Sequence, residues 1–234
     1  MAGQSVASKV PVFERLQGKL IVSCQASDGE PLANLDALTR MAASVLRGGA
    51  AGLRAEGAER VAAFRTLTDV PIIGIVKTYD AAGEVYITPA FAAAQTLSDA
   101  GADVIALDCT RRRLTEQEPW PELIRRIHEE LRLPVLADVA TLQDGLGAEA
   151  AGADAVATTL YGYTAETKGA REVSWALVEA LIKSVQVPVI LEGHVTDPQE
   201  VKRAFEMGAS AVVVGSAITR PQVITARFVG ATRR

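Results

Sequence analysis

The sequence predicts a single-domain α/β fold, the (β/α)₈ TIM barrel. One observation is a recurring unit in which an amphipathic segment is followed by a short apolar run that ends in a polar residue. The runs are apolar throughout, which is typical of parallel strands buried on both faces. A second observation is the length of 234 residues, because single barrels commonly span about 200–250 residues. We therefore treat residues 1–234 as one barrel domain, with 1–17 as an N-terminal extension or helix.

Eight segments fit the strand pattern. They are 18–25, 48–55, 70–77, 100–108, 133–138, 151–159, 187–193 and 207–216. In four of them, 48–55, 100–108, 151–159 and 207–216, glycine is the first or second residue and follows an amphipathic segment, as expected for a helix that ends in a left-handed cap. A doubly wound open sheet is the alternative, but no GxGxxG motif follows the first strand, which argues against dinucleotide binding.

Two of the intervening segments carry clear helix signals. In residues 196–208, Thr196 or Asp197 can cap a helix whose first turn contains Pro198 and whose end is marked by Gly208. In residues 141–152, the spacing of a threonine and an aspartate resembles a capping box, although two internal glycines weaken that prediction.

Composition excludes several classes of function. The net charge of −4 and the pI near 5.4 argue against a nucleic-acid or anionic-membrane partner. We interpret Arg111–Arg113 as a solvated loop after a strand. Cys24 and Cys109 are too few for a disulfide scaffold, which indicates buried free thiols. No secretory signal or membrane-length apolar run is present, so we expect a cytoplasmic protein.

Polar residues end nearly all of the predicted strands. In strand order they are Gln25, Arg54, Lys77, Asp108, Asp138, Thr158 with Thr159, Glu192, and Gly215 with Ser216. In a barrel, catalytic residues lie at the C-terminal ends of the strands. Buried charges are costly unless they are paired or used, so these residues are candidates for one site, and for Asp108 a structural ion pair is an equally good interpretation.

Lys77 and Glu192 are the candidate catalytic pair. They belong to strands on opposite sides of the ring, and an amine and a carboxyl group that face one cavity can accept and donate protons. Arg54 near Lys77, together with partial burial, would lower the pKa of the lysine and make its neutral form accessible near pH 7.

The residues after strands 6, 7 and 8 suggest how a ligand is held. Backbone N–H groups at Gly215 and Ser216, with Gly193 and Arg220 nearby, can bind a phosphate, as is common in this fold. Hydroxyl groups in the loop at 158–164, including Thr159 and Tyr163, can line a polyol or amide pocket. No zinc-site spacing or Ser-His-Asp arrangement is evident, so we expect no metal and no cofactor.

The motifs together resemble the N-acylmannosamine-6-phosphate 2-epimerase family. The resemblance spans about residues 18–221 and is carried by "GAAGLRA", "PIIGIVK", "VYITP", "LADVATL", "TTLYGYT", "PVILEG" and "GSAITRP". It implies a (β/α)₈ barrel that interconverts N-acetylmannosamine 6-phosphate and N-acetylglucosamine 6-phosphate in sialic acid breakdown, without a redox cofactor. A homodimer is also implied.

The resemblance also implies roles for individual residues. Its catalytic lysine and glutamate match Lys77 and Glu192, its substrate-contacting residues match Gln25, Arg54 and Asp138, and its phosphate-holding pair matches Gly215 and Ser216. The chain departs from the family at Glu56, where asparagine is usual, and at His194, where arginine is usual. A one-base mechanism, a Schiff-base aldolase that uses Lys77 as a nucleophile, and a non-catalytic sugar-phosphate sensor remain open alternatives.

Overall fold

The barrel is closed by eight parallel strands. The computed structural model describes residues 11–26, 29–114 and 118–232. The barrel strands are β1 (Lys19–Ser23), β2 (Gly52–Glu56), β3 (Ile72–Ile75), β6 (Val104–Asp108), β7 (Val135–Asp138), β8 (Ala155–Ala157), β9 (Val189–Glu192) and β10 (Ala211–Val214). Around the ring their order is β1-β10-β9-β8-β7-β6-β3-β2, and β2 pairs with β1 to complete it. The predicted fold class is confirmed.

The helices form the outer layer and cover one end. They are α1 (Val12–Leu16), α2 (Leu35–Arg47), α3 (Ala58–Arg65), α4 (Phe91–Asp99), α5 (Trp120–Arg126, continued by a π-helical turn over Ile127–Leu131), α6 (Leu142–Ala150), α7 (Trp175–Ser184), α8 (Pro198–Met207), α9 (Ser216–Thr219) and α10 (Pro221–Gly230). Leu16 of α1 packs with the residues inside the barrel, next to Gly52 at the start of β2. The helix thus closes the N-terminal end, and the opposite end stays accessible. No helix in the described ranges is long and apolar enough to cross a membrane.

Alternation along the strands divides the core into two layers. Inside the barrel, Ile21, Ile73, Val104 and Ile190 pack together, whereas their chain neighbours point outward against the helices. Every residue of β6, β7 and β9 is buried, which is why these strands read as continuous apolar runs.

The predicted helix ends are confirmed. Asp197 caps α8 through a capping box with Glu200, Pro198 begins the helix, and Gly208 ends it in the left-handed conformation with φ of 103°. Thr141 and Asp144 form the second capping box, at the start of α6. Gly145 in α6 has a packing role, because a methyl group there would overlap Leu181 of α7.

Two expectations about local structure were wrong. Strand β3 ends at Ile75, and Lys77 instead begins an antiparallel hairpin of β4 (Lys77–Tyr79) and β5 (Val85–Ile87) that the sequence patterns did not predict. The arginine triplet is a 3₁₀ turn rather than a solvated loop. Arg113 is buried and donates to the carbonyl oxygens of Pro89 and Glu118.

Candidate active site

A cavity of about 1040 Å³ opens at the C-terminal end of the barrel. Its walls come from the ends of β1, β2, β3, β9 and β10, from the β4–β5 hairpin, and from the loop that follows β8. The structure brings to this cavity all but one of the residues that were assigned a catalytic, substrate-binding or phosphate-binding role: Gln25, Arg54, Lys77, Thr159, Tyr163, Glu192, Gly193, Gly215, Ser216 and Arg220. The exception is Asp138, which is fully buried and does not line it.

Arg54 lies between the two acidic side chains. Its guanidinium group donates to Asp138 Oδ1 at 3.0 Å and Oδ2 at 2.5 Å, and to Glu192 Oε2 at 2.7 Å. Thr159 donates to Asp138 Oδ1 at 2.5 Å. Asp138 therefore lies beneath the cavity floor, where its two-point contact fixes the plane of the Arg54 guanidinium.

Glu192 is held by Thr158, the residue directly after β8, as well as by Arg54. The hydroxyl group of Thr158 donates to the Glu192 carbonyl oxygen at 2.8 Å and accepts from the Glu192 N–H at 3.1 Å. Gly193 follows in the left-handed region, with φ of 99°, so that the chain turns away directly after the carboxyl group.

Burial and neighbouring charges shift the pKa values of both candidate catalytic groups. Burial raises the pKa of Glu192 to about 7, and the charge of Asp138 acts in the same direction, although Arg54 opposes it. Burial lowers the pKa of Lys77, and the positive charge of Arg54 lowers it further, in the direction expected from the sequence. Glu192 therefore keeps its proton to a higher pH than an ordinary glutamate. Lys77 loses its proton at a lower pH than an ordinary lysine.

Arg54 itself remains charged. Burial acts to lower its pKa, but the charges of Asp138 and Glu192 and the hydrogen bonds to them raise it overall. Arg54 therefore places a permanent positive charge next to two groups that can exchange protons.

The end of β10 provides a concave backbone surface. Gly215 precedes the short helix α9, and a methyl group at this glycine would lie 3.4 Å from Ser23 Cβ on β1. The first N–H groups of a helix have no acceptor within it, and Ser216 begins this one. Arg220, at the end of α9, lies 3.4 Å from Glu30 in an ion pair.

The loop after β8 forms the opposite wall with His194. The imidazole ring stacks on Tyr163 with ring centroids 5.7 Å apart, and its Nε2 lies 2.9 Å from the carbonyl oxygen of Tyr161. His194 has a left-handed backbone with φ of 59°. Glu56, the other departure from the family pattern, forms an ion pair with Arg60 and does not line the cavity.

Asp108 forms a structural ion pair, which was one of the two interpretations of this residue from the sequence. It accepts from the N–H and hydroxyl groups of Thr110 and from Arg112 at 2.7 Å, and it does not line the cavity. Arg112 was missed as a site-supporting residue because the arginine triplet had been interpreted as solvated. Four charged cavity residues were not predicted: Glu84 lies in the hairpin, Lys168 and Arg171 lie on the loop after β8, and Arg227 lies on α10.

Comparisons with known proteins agree with this geometry. Residues 38–234 match the family model described as "Putative N-acetylmannosamine-6-phosphate epimerase" (NanE). Proteins carrying the corresponding 2-epimerase name are 44% identical over 217 residues in Clostridium perfringens and 42% identical over 220 residues in Clostridioides difficile. These alignments cover 93% and 94% of this chain, and 98% of each relative.

A solved structure supports the same grouping. The N-acetylmannosamine-6-phosphate 2-epimerase from Clostridium perfringens superposes with a TM-score of 0.91 at 40% identity, covering 98% of this chain and 100% of that one. Family match, sequence identity and fold thus coincide over nearly the whole length. The chain belongs to the N-acetylmannosamine-6-phosphate 2-epimerase family.

Proposed function

We propose that this protein interconverts N-acetylmannosamine 6-phosphate and N-acetylglucosamine 6-phosphate, the isomerase step that the family contributes to sialic acid catabolism. One observation carries the proposal. Lys77, with a lowered pKa, and Glu192, with a pKa raised to about 7, line one cavity. Arg54, a permanent cation, is in contact with Glu192. The pair of Lys77 and Glu192 suits removal of a proton from carbon and its return.

The reaction follows from the chemistry of the open-chain sugar. The aldehyde at C1 acidifies the proton on C2, so neutral Lys77 removes that proton from one face and protonated Glu192 supplies one to the other. The reverse reaction exchanges the two roles. The intermediate is an enolate with negative charge on the C1 oxygen, since C2 carries the N-acetyl nitrogen, and Arg54 is placed to stabilise it.

Three of the five N–H donors of Arg54 bind Asp138 and Glu192, which leaves two. Its Nε–H has no acceptor within the described part of the chain, although the atom is buried. Buried donors without a partner cost free energy. A substrate oxygen that reaches the Nε–H after a small movement of the side chain would remove this cost, while Asp138 still holds the guanidinium from below.

The phosphate group and the rest of the sugar are assigned to the cavity walls. Gly193, Gly215, Ser216 and Arg220 form the phosphate end, where backbone N–H groups and a cation are available. Gln25, Thr159 and Tyr163 offer hydrogen-bonding groups to the sugar and its N-acyl group. We expect a homodimer in the cytoplasm, and sedimentation analysis tests the oligomeric state.

A Schiff-base aldolase is the second candidate, because a lysine with a lowered pKa is also a nucleophile. Two measurements separate the functions. Proton NMR of the purified protein with either sugar phosphate should show conversion to the other epimer, and borohydride added during turnover should leave Lys77 unmodified. Reductive trapping of substrate on Lys77, or an unchanged sugar in both directions, would overturn the proposal.

A further inference from the structure

Thr88 holds the residue that precedes Lys77. The Thr88 N–H donates to the Val76 carbonyl oxygen at 2.6 Å, and the Val76 N–H donates to the Thr88 hydroxyl oxygen at 3.2 Å. Thr88 is completely buried. One residue thus binds both backbone polar groups of Val76 and fixes the direction in which the chain enters Lys77.

The backbone of Thr88 adopts a conformation that threonine avoids. Its φ is 46°, in the left-handed region, where a β-branched residue is a genuine outlier. Among the described residues, the other non-glycine residues with positive φ are Arg132 and His194, and neither is β-branched. Strain of this kind persists where surrounding contacts enforce it, and it is concentrated at functional sites.

The strained residue lies at the base of the β4–β5 hairpin, opposite the lysine. Lys77 pairs with Ile87 in the hairpin, and Thr88 directly follows Ile87. The threonine therefore closes the end of the hairpin at which β3 becomes β4. The hydroxyl group supplies the acceptor that the Val76 N–H needs once β3 has ended at Ile75.

Arg112 ties the other strand of the hairpin to the barrel. It donates to the Val85 carbonyl oxygen at 2.5 Å and to Asp108 at 2.7 Å, and its guanidinium carbon lies 4.2 Å from the centre of the Tyr86 ring. Asp108 ends the barrel strand β6, so this contact joins the hairpin to a rigid part of the fold.

We propose that Thr88 is a positioning residue for Lys77, and that Arg112 anchors the same hairpin through β5. This inference rests on the function proposed for Lys77. A base must meet its proton within a narrow range of distances, and a displacement of about 1 Å can cost on the order of 100-fold in rate. Loosening the base of the hairpin would both misdirect the amine and admit water to it.

Thr88→Val tests the role of the hydroxyl group, because valine keeps the shape and the branching of the side chain. We expect kcat to fall about 10- to 100-fold with a smaller change in KM. Thr88→Ser keeps the hydroxyl group and should restore most of the activity. Thr96→Val is the matched control, since it removes a hydroxyl group from the exposed surface of α4.

A second readout follows Lys77 without relying on turnover. Competitive acetylation over a range of pH, with mass spectrometry of the peptide that contains Lys77, reports the pKa of that amine, and exposed Lys183 provides the internal reference. In Thr88→Val the labelling midpoint of Lys77 should rise, because burial lowers the pKa of this amine and water that reaches it reduces that effect. Thr88→Ser and Thr96→Val should leave it where it is in the wild type.

The outcomes distinguish the two proposals. A folded Thr88→Val protein with an unchanged labelling midpoint overturns the positioning role, whether or not kcat falls. A raised midpoint in a protein whose wild type has no epimerase activity would support the positioning role and reject the proposed function. If Thr88→Val does not fold, Arg112→Gln decides: a raised Lys77 midpoint supports the inference, and an unchanged one overturns it.

Discussion

Replacing Glu192 by glutamine should change how the stability of the protein depends on pH. The pKa of this carboxyl group is 4.5 ordinarily and about 7 in the fold. Between those values the folded protein holds a proton that the unfolded chain has released, so the wild type loses stability as pH rises through this interval. The difference corresponds to roughly 3 kcal/mol in total, of which roughly 2–3 kcal/mol falls between pH 5 and pH 8.

Glutamine does not titrate, so the variant does not lose stability from this position as pH rises. The changed hydrogen bond between residue 192 and Arg54 adds an offset that does not vary with pH, and the difference between the two proteins should move in favour of the variant by roughly 2–3 kcal/mol from pH 5 to pH 8. Urea unfolding at several pH values measures the difference directly. Parallel curves for the two proteins, or a shift in favour of the wild type, would refute the raised pKa on which the acid role of Glu192 depends.

Two further substitutions test the phosphate end and the loop wall. Ser216→Asp should raise KM roughly 100-fold with little change in kcat. The reason is that the new carboxylate would lie next to the substrate phosphate, and like charges placed together cost several kcal/mol. An unchanged KM in steady-state kinetics would contradict the phosphate assignment. Gly162→Ala should lower the free energy of unfolding by roughly 1–3 kcal/mol, since Gly162 has φ of 92° and a methyl group would lie 2.7 Å from the Ala170 carbonyl oxygen and 2.9 Å from His194 Nε2; an unfolding curve that coincides with that of the wild type would contradict it.

Most of the barrel was predictable because parallel strands and their helices leave strong local signals. The strands are apolar throughout, and glycines end several helices in the left-handed region, as at Gly49, Gly101 and Gly152. Catalytic residues of a barrel lie at the C-terminal ends of its strands, so residues that are distant in sequence could be assigned to one cavity. Arg54 and Glu192, for example, are separated by 138 residues and are in direct contact.

The hairpin after β3 could not be predicted in this way. Residues 77–87 contain no continuous apolar run, and the two strands are only three residues each. Their position depends on contacts with distant residues, including Arg112 and Asp108. The arginine triplet was misinterpreted for the same reason, since a charged run gives no sign that a partner elsewhere in the chain will bury it.

The burial of Asp138 beneath the cavity floor likewise could not be predicted from the sequence. Its place at the end of β7 indicated the site, but its orientation toward Arg54 depends on side-chain geometry across the barrel. The sequence therefore predicted which strands contribute to the site more reliably than which side chains face the cavity.

Exchange of the proton at C2 tests the two-base chemistry most directly. With the reaction run in D₂O and followed by NMR, the wild type should incorporate deuterium at C2 in both epimers. Lys77→Met and Glu192→Gln should each lose epimerisation by at least about 100-fold. Each should still exchange deuterium into one epimer, and the two variants should favour opposite epimers. Epimerisation at a rate close to that of the wild type in either variant would contradict the assignment of Lys77 and Glu192 as the two catalytic groups.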